Sequence, residues 1–253
     1  MFDIIKIRIK QGNQAIPDVR SASVDDHFRG FPHIDGSKCA GTCNHCAGVC
    51  PTGAIEIKPL RIDMGKCIFC GDCRIACPHK AIQFTSRCHL ASDSRSMLIL
   101  DGNSTHETFE SEAFKSRKEM TKIFGRSLKL RQVSAGGCNG CEFELNACGN
   151  VNFDMGRFGI EFVSSPRHAD GIVITGPVTI PMAVALEDTY LAIPDPKIVV
   201  AVGACAISGG IFAGAPAINR EFFDKYRVDL YVPGCPVHPL TFINGLLDFL
   251  TKR

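Results

Sequence analysis

The chain is 253 residues long, 45% hydrophobic and 21% charged, which excludes a disordered tail and leaves room for one large domain or two ordinary ones. Lys and Arg number 28 against 26 Asp and Glu, and the formal charge of +2 is too balanced for a protein that lives by gripping nucleic acid or anionic lipid. The outlying number is 14 cysteines, above ordinary usage but below the density of a small disulfide scaffold, so their spacing decides their purpose.

Met1 to Lys10 alternates apolar with polar side chains and offers no uninterrupted apolar core or cleavage site, which predicts a chain kept in the reducing cytoplasm. Ile5, Ile7 and Ile9 share one face of that period-two stretch, so residues 1–36 read as an edge strand and lead-in. A cysteine-rich segment follows within residues 37–90. Cys43, Cys46, Cys50, Pro51, Ala54 and Ile55 recur 27 residues further on as Cys70, Cys73, Cys77, Pro78, Ala81 and Ile82, the mark of an internal duplication.

Residues 91–126 turn polar and charged and read as a linker with one helix and a short apolar strand, Met97 to Leu100. From 127 to 253 apolar stretches are each followed by a small-residue loop: Leu128 to Val133, Gly171 to Thr175, Ile198 to Val202 and Leu230 to Val232. Strands separated by room for helices predict a parallel α/β sheet. Ile198 to Asn219 carries no charge and has about the length of a membrane span, but its glycines, Pro216 and Cys205 make it a buried strand and loop. Ile243, Leu246, Leu247 and Leu250 place an amphipathic helix after Pro239.

The duplicated segment reads C-x3-C-x2-C-x3-C-P at Cys39, Cys43, Cys46, Cys50 and Pro51, and C-x2-C-x2-C-x3-C-P at Cys67, Cys70, Cys73, Cys77 and Pro78. Closely spaced cysteines let one loop wrap an iron-sulfur cube with three thiolates while the fourth ligates the other cluster. The expected sets are therefore crossed: Cys39, Cys43, Cys46 and Cys77 for one 4Fe-4S cluster, Cys67, Cys70, Cys73 and Cys50 for the other. The segment resembles a bacterial two-cluster ferredoxin. Zinc is the competing reading, but a structural zinc site closes with four ligands, and eight cysteines in a duplicated C-P frame suit cubes better. Seven Lys and Arg (Lys38, Lys58, Arg61, Lys66, Arg74, Lys80, Arg87) outnumber Glu56, Asp63 and Asp72 here, and their surplus would offset the clusters' anionic charge or simply form a solvated face.

Cys138 and Cys141 form a CxxC, with Cys205 and Cys235 far away in sequence. Each lies in a loop after an expected strand, and the carboxyl ends of parallel strands share one edge where ligands bind, so three loops converge on one cofactor. Gly136, Gly137, Gly140, Gly203 and Gly234 allow close backbone approach there.

The segments GGCNGCEFE (136–144), SPRHADGIVITGPVT (165–179), GACAISGGIF (203–212) and PGCP (233–236) resemble the small subunit of membrane-bound energy-converting nickel-iron hydrogenases of the formate hydrogenlyase type, relatives of the complex I subunit that carries the last iron-sulfur cluster. FRGFP (28–32) and the two cysteine motifs are similar to the ferredoxin-type subunit of the same complexes, so the chain looks like a fusion of two neighbours. The resemblance implies a flavodoxin-like fold without flavin, and a proximal 4Fe-4S cluster on Cys138, Cys141, Cys205 and Cys235, three clusters in all. It also implies a hydrogenase-type large subunit holding the nickel-iron site, an electron-exchanging neighbour such as a formate dehydrogenase or ferredoxin, and integral membrane subunits that keep the chain peripheral on the cytoplasmic face. Complex I relatives have adjacent cysteines where Asn139 and Gly140 intervene here, which favours the hydrogenase branch over a relay to quinone. The cysteine pairs that would hold nickel are absent, so no catalytic centre is expected on this chain.

Glu142 and Glu144 are candidate proton-handling groups, though acids in a first helical turn more often answer the helix dipole. Cys88 and Cys148 fall outside the twelve and read as buried inert thiols. Arg167 and His168 follow an expected strand and either tune the nearby cluster or pack a loop.

Overall fold

A computed structural model of the chain describes residues 2–39, 41–114, 122–125 and 127–250. The chain opens with a helix, α1 (Phe2–Gln11), rather than the expected edge strand, and none of its residues is buried. The alternation of Ile5, Ile7 and Ile9 is real, but a strand needs a neighbour to satisfy its backbone groups, whereas a helix satisfies them within the segment. The lead-in then straps the carboxy-terminal half. Ile16 N–H donates to the Asn152 carbonyl at 2.8 Å, Val19 is buried, and Asn244 Nδ2 donates to the Val19 carbonyl at 2.9 Å. Arg20 pairs with Asp248 in the last helix.

The cysteine-rich half consists of two repeats of loop, short helix and short strand. β1 (Pro32–Ile34) precedes the first loop, which leads through α2 (His45–Gly48) to β2 (Ile55–Ile57) and its hairpin partner β3 (Leu60–Asp63); the second loop leads through α3 (Asp72–Ala76) to β4 (Ile82–Phe84). β1 pairs antiparallel with β4, placing Ile34 opposite Ile82. The segment expected as a linker does more than connect. Its strand, β5 (Ile99–Asp101), adds to β3 to complete an antiparallel sheet β2-β3-β5. Its helix, α4 (His106–Glu112), begins in a capping box between Thr105 and Thr108 and packs Phe109 against Phe31, ring centres 5.5 Å apart. Residues 115–121, read from the sequence as part of the same linker region, lie outside the described residues.

The carboxy-terminal half is built on five parallel strands, β6 (Leu128–Ser134), β7 (Ile160–Phe162), β8 (Gly171–Thr175), β9 (Ile198–Val202) and β10 (Leu230–Val232), in the order β10-β9-β8-β6-β7. Counted from the β7 edge this is 2-1-3-4-5, the flavodoxin-like order, whose direction reverses between β6 and β8. Four strands fall where the sequence places them. β7 is missing from that reading because three residues at an edge carry too little pattern to register.

β8 and β9 are buried throughout, as continuous apolar runs covered on both faces must be. Leu130, Val173, Val200 and Val232 face α5 (Gly140–Ala147) and α9 (Pro239–Phe249). Ile172, Ile174, Val199 and Ala201 face α6 (Ile180–Ala192), α7 (Gly203–Ser208) and α8 (Glu221–Lys225). That second core runs on without a break into Phe31, Ile62 and Met64 of the cysteine-rich half. Each such Leu or Ile contributes roughly 1.5–3 kcal/mol on full burial. Ser92 and Tyr231 exchange two backbone hydrogen bonds, 3.0 and 2.9 Å, so the halves are joined by chain, core and backbone contacts.

Candidate metal centres

The duplicated loops fold so that each fourth cysteine reaches the other loop. Burial pushes the Cys46 thiol up, with Cys77 and Cys39 adding to the shift, which places Cys77 beside the first loop. Cys67 is pushed up to about 12 by burial, with Cys73, Cys50 and Cys70 adding to it, which places Cys50 beside the second. Cys43 lies between Cys39 and α2. Backbone donors point at sulfur: Ala54 N–H to Cys50 Sγ, Phe69 N–H to Cys67 Sγ and Ala81 N–H to Cys77 Sγ, each at 3.3 Å. Buried thiols raised this far hold their protons unless a metal displaces them, and donors aimed at sulfur favour the thiolate that a metal needs.

The third set assembles at the carboxyl edge of the parallel sheet. Cys138 and Cys141 flank the start of α5, Cys205 sits in α7 after β9, and Cys235 follows β10. Burial pushes Cys141 up to about 12, followed by the nearby Glu142, Cys235 and Cys205, and burial pushes Cys205 up to about 11, with Cys235 and Cys138 adding to it. All four are thus one constellation, with Cys138 and Cys235 exposed. Gly203 shows why glycine stands there: its φ is +86°, and a Cβ would lie 2.7 Å from Cys141 Sγ. Among the described residues no three His, Cys, Asp or Glu side chains close in on a point that one ion would fill. Sets of four thiol donors with backbone N–H groups aimed at sulfur are the donor chemistry that an iron-sulfur cube takes.

The two candidate acids part company. Glu142 Oε1 accepts from the hydroxyls of Ser134 at 2.6 Å and Thr175 at 2.7 Å, which are paired across β6 and β8 at the point where strand order reverses. It is a latch on that edge, in the first turn of α5. Glu144 instead lines a cavity of about 270 Å³ between the halves, together with Arg29, Phe69, Cys235, His238 and Thr241. Burial raises the Glu144 carboxyl and lowers His238. Thr241 Oγ1 is buried without a protein partner, so water is its natural partner in this polar space.

Cys88 and Cys148 are both buried in the core and raised by burial to about 11 and about 12, as inert thiols would be. Arg167 and His168 do not reach the cysteines. They form a single turn just before β8, where Asp170 bonds to Lys129 at the start of β6, at the opposite end of the sheet. The unforeseen β7 explains the error: Phe162 ends level with Leu130 and Gly171 begins level with the same residue, so the turn between them stays at the amino end of the sheet. Two arginines near the sulfurs went unnoticed in the sequence. Arg220 donates to the Cys205 and Ile207 carbonyls at 3.1 and 3.0 Å and has no motif to announce it. Arg29 donates to the Phe69 carbonyl from within FRGFP, a motif that carried the resemblance but no role.

Crossed cysteine loops joined to a flavodoxin-like sheet with four cysteines at its ligand edge define an iron-sulfur electron-transfer protein. Residues 138–249 match the family described as NADH ubiquinone oxidoreductase, 20 Kd subunit, and residues 60–83 match the 4Fe-4S binding domain. The chain is 40% identical to the probable membrane-bound hydrogenase subunit mbhJ of Pyrococcus furiosus over 53% of its own length and 80% of that protein's. It is 41% identical to formate hydrogenlyase subunit 7 of Escherichia coli over 51% of each, and 43% identical to an NADH-quinone oxidoreductase subunit of Heliobacterium modesticaldum over 44% of this chain and 65% of that one. Among solved structures, a chain of the membrane-bound sulfane sulfur reductase, an archaeal respiratory membrane complex, is 31% identical over 54% of this chain and 75% of its own, with a TM-score of 0.46. The chain belongs to the family of the NADH ubiquinone oxidoreductase 20 Kd subunit, with a ferredoxin-type segment ahead of the family region, and is an electron-transfer subunit of an oxidoreductase complex.

Proposed function

We propose that this chain relays electrons through three 4Fe-4S clusters between a redox neighbour and the nickel-iron site of a separate hydrogenase-type large subunit, with either direction of flow allowed. Cys39, Cys43, Cys46 and Cys77 would hold the first cluster, Cys67, Cys70, Cys73 and Cys50 the second, and Cys138, Cys141, Cys205 and Cys235 the third. Each cluster, when bound, supplies a site that takes up and gives back one electron. Residues 37–90 form the two-cluster part, and 127–253 the part that meets the large subunit.

The observation that carries this reading is the succession of sulfurs. Cys50 lines one cavity with Cys67, Cys70 and Cys73, and Phe69, the neighbour of Cys70, lines another with Cys235, so the three sets stand in succession. The exposure of Cys138 and Cys235 calls for a second protein to exclude water from the last set, and Phe143, Ile180, Ile211 and Phe212 stand exposed as apolar contacts for it. The hydrogenase and formate hydrogenlyase relatives favour a nickel-bearing neighbour. Integral subunits of the complex would hold the chain on the cytoplasmic face of the membrane. Among its own described residues no helix is long and apolar enough to cross one.

A relay to quinone is the second reading, favoured by the NADH-quinone oxidoreductase relatives. Metal and sulfide analysis of the anaerobically purified complex, with hydrogen-dependent dye reduction and a quinone assay, decides. Nickel, hydrogen turnover and about twelve irons per chain support the proposal. Quinone reduction without nickel supports the alternative, and stoichiometric zinc without sulfide overturns both.

A further inference from the structure

Arg29 occupies the joint between the second and third cysteine sets. Its side chain flanks Cys70 on both sides: the guanidinium Nε donates to the Phe69 carbonyl, and Cδ lies 3.0 Å from where a Cβ on Gly71 would stand. The same side chain lines a cavity that Cys235 also lines. The backbone beneath it is fixed. Gly30 N–H donates to the Thr85 carbonyl at 2.7 Å and Phe31 N–H to the Arg87 carbonyl at 3.0 Å, and a side chain at Gly30 would strike Arg87. Among the described residues no carboxylate forms an ion pair with Arg29, although 26 acids are available in the chain.

A cation left without a carboxylate, seated against the loop of one cysteine set and lining a cavity that a cysteine of the next set also lines, stabilises whichever state of those anionic groups carries more negative charge. One-electron reduction of a cluster adds one negative charge. We propose that Arg29 is the positioning residue of this joint, holding the Phe69–Gly71 backbone of the second loop beside the cavity that Cys235 lines and raising the reduction potentials of the second and third clusters together. This rests on the reading that both sets bind clusters. Lysine would keep the charge but lose the planar Nε–H donor, and glutamine would keep a donor but lose the charge, so the two contributions separate.

The test is a mediated dithionite titration of the full chain, anaerobically loaded with iron and sulfide and followed by electron paramagnetic resonance, comparing wild type, Arg29→Gln and Arg29→Lys. Cys77→Ser and Cys235→Ser assign the signals of the first and third sets. The expected result is that Arg29→Gln, with full iron content, lowers the potentials of the second and third sets and leaves the first unmoved, while Arg29→Lys restores most of the shift. Unchanged potentials in Arg29→Gln, an equal shift at all three sets, or an equal shift in Arg29→Lys would overturn the inference. A wild-type chain with no cluster signal from the Cys235 set would instead overturn the proposed function, and this inference with it.

Discussion

The backbone N–H of Ala81 donates to the Sγ of Cys77 at 3.3 Å, and Ala54 repeats the contact on Cys50 at the same distance. Both are i+4 contacts in the turn after a Cys-Pro pair, so the duplication in sequence is a duplication of the device that holds the fourth thiolate. Because that thiolate faces the opposite loop, Cys77→Ser should damage the cluster of Cys39, Cys43 and Cys46 and spare the one nearest it in sequence. Spectroscopy showing loss of the Cys67 set alone would refute the crossed arrangement.

Cys235→Ser should cost about four of about twelve irons, leave the ferredoxin-type clusters reducible by dithionite, and abolish hydrogen turnover by the complex. Iron analysis and hydrogen-dependent dye reduction check the two halves of this expectation separately. Retained turnover would count against the relay through the third set proposed above.

Gly203→Ala combines two penalties, a positive φ of +86° and a methyl group 2.7 Å from Cys141 Sγ. The backbone part alone costs about 1–3 kcal/mol. The steric part should push Cys141 out of place and empty the third site. Gly156, where an added methyl meets nothing within 4 Å, is the control: Gly156→Ala should keep full iron content.

His106 supplies a pH dependence. Burial lowers it from its ordinary 6.5, against the opposing pull of the Glu110 carboxylate 3.5 Å away. Above about pH 6.5 the ring is neutral in both folded and unfolded chain and contributes nothing to the pH slope. As pH falls through that value the unfolded chain takes up the proton first, so stability is lost just below it, at no more than ~1.4 kcal/mol per pH unit. Thermal unfolding of the cluster-loaded chain at pH 7.5 and 6.0 should show a smaller difference in His106→Asn than in wild type.

The duplicated cysteine motif was legible because spacing is what a sequence displays, whereas Cys205 and Cys235 come near Cys138 and Cys141 only through the sheet. β9 was legible because burial on both faces leaves nothing polar in it, and β6 because Leu128, Leu130 and Val133 mark its buried face. What escaped depends on tertiary neighbours. The α1 segment reads as a strand until one asks what would pair with it. β7 is too short to show a period, and its absence misplaced Arg167 and His168. Arg29 and Arg220 reach carbonyls 40 and 15 residues away, relationships that no local pattern encodes.

The paired hydrogen bonds between Ser92 and Tyr231 have a bearing on self-association. β10 ends the parallel sheet, and an end strand with free backbone groups is a template for another chain. Ser92, trailing from the ferredoxin-type half, occupies part of that template, and the opposite end strand, β7, is only three residues long. Neighbours therefore meet this chain through loops and helices rather than by lengthening the sheet. The guard is only as stable as the half that supplies it, whose interior includes the cysteines Cys46, Cys67, Cys73 and Cys77. Oxygen that strips the iron from those thiolates would loosen Ser92 as well, turning a redox lesion into an aggregation hazard.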